Sequence, residues 1–114
     1  MRATKALLVL VLGVAFSTAA RAEEAPAAGA ASLSGETLYR ERTCIACHGA
    51  DARTPILPDY PKLAGQNAAY LLRQAQDIKT GARTNGNTIA MKGVMHIVND
   101  DELRAISDWL ASLD

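Results

Sequence analysis

Large apolar residues recur at helical spacing in three separated stretches, and each stretch is bounded by residues that start or stop a helix. The first runs from Ser34, a capping residue, through Gly-Glu-Thr-Leu-Tyr-Arg-Glu-Arg, with Leu38 and Tyr39 as the large buried candidates. It predicts a helix that delivers the chain into Cys44. Gly35 and Tyr39 stand four apart and share a face, where a residue without a side chain lets another helix come close. A second helix is predicted over Asn67–Lys79, with Leu71, Ala75 and Ile78 on one stripe, Tyr70 and Leu72 broadening it, and Gly81 where a helix stops. Tyr70 either packs in the core, the more frequent role and the one expected, or reaches a bound group or a partner. The third begins at Asn99, which pairs with Glu102 in the manner of a capping box, while Asp100, Asp101 and Glu102 suit the positive end of the helix dipole. Its stripe is Leu103, Ile106, Leu110 and Leu113, and Trp109 beside it is expected to anchor the core against the first helix.

Between these helices the pattern breaks. Residues 49–65 carry Pro55, Pro58 and Pro61, which forbid a continuous helix or a central strand, so this loop must wrap something other than a core of its own. Residues 82–96 are polar and glycine-containing, then present Met91, Met95 and His96. At the start of the chain, Arg2 and Lys5, the apolar run Ala6 to Phe16 and the small-x-small Ala20-Arg21-Ala22 predict a cleaved secretory signal peptide over 1–22. The apolar run is too short for a membrane-spanning helix, which takes roughly 20 residues. Residues 23–33 read as a flexible leader and 34–114 as one domain.

Composition narrows the class. Without the three basic residues of the signal segment, the remainder holds 9 basic and 12 acidic side chains, a balance of −3, and has no dense basic patch of the kind that nucleic acid requires. Outside that segment the aromatics are Tyr39, Tyr60, Tyr70 and Trp109, a thin core for a domain of this size, so a further staple is expected.

Cys44-Ile45-Ala46-Cys47-His48 supplies it. The pattern C-x-x-C-H is that of covalent c-type haem attachment. Two cysteines three apart in a short helical turn set both sulfurs against one porphyrin edge, where each adds across a vinyl group to form a thioether, and His48 then lies under the iron. The imidazole's other N–H needs an acceptor to fix the ring and raise its basicity, and the carbonyl of Pro61, a residue with no N–H of its own, is the candidate. For the distal position Met91, Met95 and His96 all stand open; a thioether raises the potential and a second imidazole lowers it. Arg83 is either a solvated charge or a partner for a haem propionate. Three other readings of the motif are weaker. Zinc needs about four ligands, and only Cys44, Cys47, His48 and the distant His96 are on offer. A thioredoxin-like pair needs a strand-and-helix pattern, and a plain disulfide leaves the adjoining histidine without a reason.

Cys-Ile-Ala-Cys-His-Gly, Tyr-Pro-Lys-Leu-Ala-Gly-Gln-Asn-Ala-Ala-Tyr-Leu, the Lys79-Thr-Gly-Ala-Arg-Thr-Asn segment and the Met91-Lys-Gly run before an acidic-capped helix together resemble a class I cytochrome c. The likeness is closer to one half of the bacterial dihaem cytochromes of the c-four type. It implies an all-α fold, with three main helices around one covalently bound haem c. It also implies thioethers from Cys44 and Cys47, His48 as proximal ligand supported by the Pro61 carbonyl, and Met91 as distal ligand with Met95 as second choice. The family's halves come in pairs, whereas this chain carries one C-x-x-C-H.

The function expected on these grounds is a periplasmic carrier of single electrons between redox partner proteins, with no catalytic device of its own. An electron-accepting subunit of a periplasmic oxidoreductase is the alternative. A haem enzyme or gas sensor with an open distal site is disfavoured by the soft ligand at Met91. A mildly acidic surface suits a positively charged patch on a partner.

Overall fold

Ser34 starts the first helix by accepting the Thr37 N–H on its hydroxyl at 3.2 Å, which satisfies one of the orphan donors of a helix start. The computed structural model describes residues 32–114; the signal peptide expected at 1–22 and residues 23–31 of the leader lie outside the described residues. The helices are α1 (Gly35–Glu41), α2 (Ile45–His48), α3 (Ala68–Thr80), α4 (Thr88–Met95) and α5 (Asp100–Ala111), with no strand among the described residues.

The expected stripes form the core. Leu38 and Tyr39 of α1, Leu71, Ala75 and Ile78 of α3, and Leu103, Ile106 and Leu110 of α5 are all buried. α1 and α3 both pack on α5, and α3 also packs on α4. The α1–α5 crossing depends on Gly35, since a Cβ there would collide with the Ala105 carbonyl and the Trp109 side chain. With the backbones this close, the Tyr39 and Trp109 rings meet at 5.2 Å between centroids, tilted by 49°, a geometry worth about 0.5–1.5 kcal/mol beyond area burial.

Caps set the remaining boundaries. Asn67 accepts the Tyr70 N–H at 3.0 Å to open α3, and Gly81 closes it. α5 begins with a full capping box, in which Asn99 accepts from the Glu102 N–H at 2.9 Å and Glu102 accepts from the Asn99 N–H at 3.1 Å. Glu102 also takes two hydrogen bonds from Arg42, at 2.5 and 3.2 Å, tying the end of α1 to the start of α5. Lys79 links α3 to the turn before α5 through the Val98 carbonyl at 2.7 Å and Asp100 at 3.1 Å.

Two features depart from the sequence expectation. α4 occupies a stretch in which no helix is expected; it is short, contains Gly93, and its Asn87 cap makes no side-chain hydrogen bond, so the usual start signal is missing. Thr88 begins it instead by donating its hydroxyl to the Asn85 carbonyl at 2.8 Å. Tyr70 is 54% exposed rather than packed.

Candidate functional site

α1 ends in a turn whose Thr43 has φ of 64°, a left-handed conformation uncommon for a β-branched residue. That turn aims the chain into α2. Cys44 and Cys47 stand one helical turn apart, with the Cys47 and His48 N–H groups both donating to the Cys44 carbonyl, at 3.2 and 3.0 Å. No disulfide joins them. Burial pushes the Cys44 thiol up to about 11.

His48 is buried, and its Nδ1–H donates to the Pro61 carbonyl at 3.0 Å, so Nε2 carries the free lone pair. Burial pulls its pKa down and the Pro61 carbonyl partly opposes that, which leaves the neutral, ligand-competent form. The Tyr60 ring stands 6.4 Å from the imidazole.

The loop from Gly49 to Gln66 is held through its backbone. Gly49 has φ of 83° and leaves no room for a Cβ against the Thr54 carbonyl. Asp51 accepts from the Arg53 and Thr54 N–H groups and the Thr54 hydroxyl at 2.8–2.9 Å, and these bonds hold its carboxyl below the usual range. Ala52, fully buried at φ of 55°, receives both the Leu63 and Ala64 N–H groups on its carbonyl, at 2.8 and 3.1 Å. Ile56 N–H donates to the Cys47 carbonyl at 3.1 Å, and Gly65 N–H to the Leu110 carbonyl at 2.9 Å.

These elements enclose a mainly apolar cavity of about 360 Å³. Cys44, Cys47 and His48 line it together with α3, α4 and α5. From α4 both Met91 and Met95 line it, four apart and so on one face. Met95 is 3% exposed and belongs to the core, whereas Met91 is half-buried. His96 is exposed at the end of α4 and lies outside the cavity wall. Tyr70 and the exposed residues 85–87 form part of the lining. Arg83 lines the cavity as well, with its guanidinium donating to Gln74 at 2.9 Å and Asn85 at 3.2 Å. Among the described residues it makes no ion pair, and no other lysine or arginine lines the cavity.

Sequence reasoning missed two parts of this site. The Tyr39 hydroxyl donates to the Gly49 carbonyl at 2.7 Å, beside the motif histidine, and Ala52 is the hub of the loop. An alanine in a left-handed conformation leaves no trace in a hydropathy pattern. The buried tyrosine did leave one, since a buried phenol needs an acceptor.

Free paired thiols in one helical turn, a neutral imidazole fixed from behind and an apolar cavity facing thioethers form a donor set and a shape that fit a covalently held haem. This defines the class: a small helical protein built around haem of the c type. A family model described as Cytochrome c matches residues 32–114. Cytochrome c4 of Pseudomonas aeruginosa is 39% identical over 108 residues, covering 95% of this chain and 48% of that protein. The thiosulfate dehydrogenase electron acceptor of Stutzerimonas stutzeri is 32% identical over 114 residues, covering 99% of this chain and 52% of that protein. The crystal structure of reduced recombinant cytochrome c4 from Pseudomonas stutzeri superposes with a TM-score of 0.62 at 34% identity, over 70% of this chain and 46% of that one. The chain belongs to the cytochrome c family, and its cofactor is one haem c attached through Cys44 and Cys47. It spans about half the length of these relatives.

Proposed function

We propose that the protein is a periplasmic carrier of single electrons, with His48 as proximal and Met91 as distal ligand of the haem iron. The observation that carries this reading is the buried His48, its ring fixed by Pro61, in the wall of the same apolar cavity that the two methionines of α4 line. Haem c supplies the ferric/ferrous couple, and the chain supplies position, burial and charge. Cys44 and Cys47 would hold the haem as two thioethers, a linkage reached by adding each S–H across a vinyl group with no leaving group. The Pro61 carbonyl keeps the His48 proton on Nδ1 and turns Nε2 to the cavity. Met91, half-buried with its side chain in the cavity wall, is the better placed thioether, because Met95 is already committed to core packing. Arg83, a cavity-lining cation that makes no ion pair among the described residues, suits a propionate. The exposed residues 85–87 in the cavity lining leave the cofactor an accessible edge for transfer. The signal-peptide pattern of residues 1–22 supports a location outside the cytoplasmic membrane, and no helix among the described residues is long and apolar enough to cross a membrane.

The test is the absorption spectrum of the purified oxidised protein with Met91→Ala and Met95→Ala variants alongside. A weak long-wavelength sulfur-to-iron band, lost only in Met91→Ala, is expected. Loss only in Met95→Ala moves the ligand by one turn, and a parent without the band overturns methionine ligation.

A second reading, an electron-accepting subunit of a periplasmic oxidoreductase, is favoured by the relative named as a thiosulfate dehydrogenase electron acceptor. Co-purification with a larger subunit on gentle extraction distinguishes the two.

A further inference from the structure

Tyr39 is 0% exposed, yet its hydroxyl is directed at a backbone atom of the haem motif's exit rather than at another helix. It donates to the carbonyl of Gly49, the residue that follows His48, at 2.7 Å. The same carbonyl accepts the Ala52 N–H at 3.3 Å, and the Ala52 carbonyl in turn holds the Leu63 and Ala64 N–H groups at 2.8 and 3.1 Å. Two residues before Leu63 is Pro61, whose carbonyl receives the His48 Nδ1–H at 3.0 Å. A circuit of hydrogen bonds thus runs from α1 through the loop and back to the imidazole. Among the described residues, this is the one side-chain hydrogen bond that enters residues 49–66 from a helix other than α2.

We infer that Tyr39 is a positioning residue for the proximal histidine, and that its hydroxyl sets how firmly His48 is held against Pro61. The inference rests on the reading of His48 as an iron ligand. A firm bond at Nδ1 makes the imidazole a stronger donor and favours ferric iron. Loosening the loop relaxes that bond and raises the reduction potential. The ring of Tyr39, packed at a tilt against Trp109, carries the packing between α1 and α5 independently of the hydroxyl.

Tyr39→Phe keeps the ring and deletes the hydroxyl, and Trp109→Phe weakens the packing and keeps the hydroxyl. The holoproteins are compared by reduction potential, by exchange of the His48 ring N–H in NMR of the reduced state, and by thermal unfolding. Tyr39→Phe is expected to raise the potential and to speed ring N–H exchange by about 2- to 10-fold, the equivalent of one net hydrogen bond. Trp109→Phe is expected to lower the melting temperature while both other readouts stay at the parent values. The inference is overturned if Tyr39→Phe leaves potential and exchange unchanged, or if Trp109→Phe shifts them as much, since the effect is then general loosening. The parent spectrum, taken first, separates the two levels: a parent without histidine-ligated haem overturns the proposed function together with this inference, and a histidine-ligated parent with an unmoved variant overturns the inference alone.

Discussion

Tyr39 belongs to two regions that are held by opposite means. On its ring side lies the α1–α5 crossing, where side chains at helical spacing interlock and the close approach is made by removing a side chain at Gly35. On its hydroxyl side lies the loop 49–66, where Leu63 is only partly buried, Ile56 and Leu57 are exposed, and the shape is kept by backbone carbonyls. A packed crossing tolerates a change of side chain in proportion to volume. A loop held by carbonyls at special dihedrals tolerates change at its exposed side chains, such as Ile56 and Leu57, that leaves φ alone. Each part of the site therefore gets its precision from a different source: the cavity wall from packing, the His48 ring from backbone geometry.

The largest predicted effect removes what both regions face. In a Cys44→Ala, Cys47→Ala double variant the cavity of about 360 Å³ has nothing attached in it. At roughly 24 cal/mol per Å³ an unfilled void of that size corresponds to at most about 9 kcal/mol, which is comparable to the whole stability of a small domain. Most of the helical signal in far-ultraviolet circular dichroism should disappear, and native helix content in that variant would show that the frame stands without its cofactor.

Next comes a pair of substitutions that treats the two regions alike. Gly35→Val drives a branched side chain into the Ala105 carbonyl and Trp109 and should cost about 1–3 kcal/mol in denaturant unfolding. Ala52→Gly, in the loop, relieves a left-handed alanine. It should leave stability within about 1 kcal/mol of the parent, because relief of strain and the added freedom of the unfolded chain oppose each other. Ala52→Val, which puts a branched side chain at a positive φ in a fully buried position, should be the worse of the two by urea midpoint. Equal costs for Gly35→Val and Ala52→Gly would erase the contrast between the packed crossing and the loop.

The same division decides what was legible in the sequence. The stripes of α1, α3 and α5, the Asn99–Glu102 capping box and the Gly35 approach follow from side-chain type and spacing, and the structure has them. The haem c cofactor was legible for the same reason, because five consecutive residues carry its chemistry. α4 was not, since its cap is made by backbone geometry and Thr88 rather than by Asn87. Tyr70 was misjudged because helical periodicity cannot distinguish a core from a cavity wall. The Ala52 hub was invisible, since hydrogen bonds between main-chain groups depend on dihedrals that alanine does not announce.

The smallest effect tests the contrast through pH. Glu102 is held below the usual carboxylate range first by its Arg42 hydrogen bonds and then by the Asn99 N–H, and it joins α1 to α5. Asp51 is held down too, by the N–H groups and hydroxyl of its own turn. A carboxylate whose folded pKa is depressed stabilises the fold fully above its unfolded pKa of about 4 and loses that contribution as pH falls through the folded value. Glu102→Gln should therefore melt below the parent at pH 7, with the gap closing as the pH is lowered beneath about 4. Asp51→Asn should follow the same sign with a smaller gap, because a turn confined to residues 51–54 forms in part in the unfolded chain and so distinguishes the two states less. Melting curves of the three holoproteins from pH 7 to pH 3 read both gaps. An Asp51→Asn gap as wide as that of Glu102→Gln would mean that the loop's local turn carries the stability here assigned to the bridge between helices.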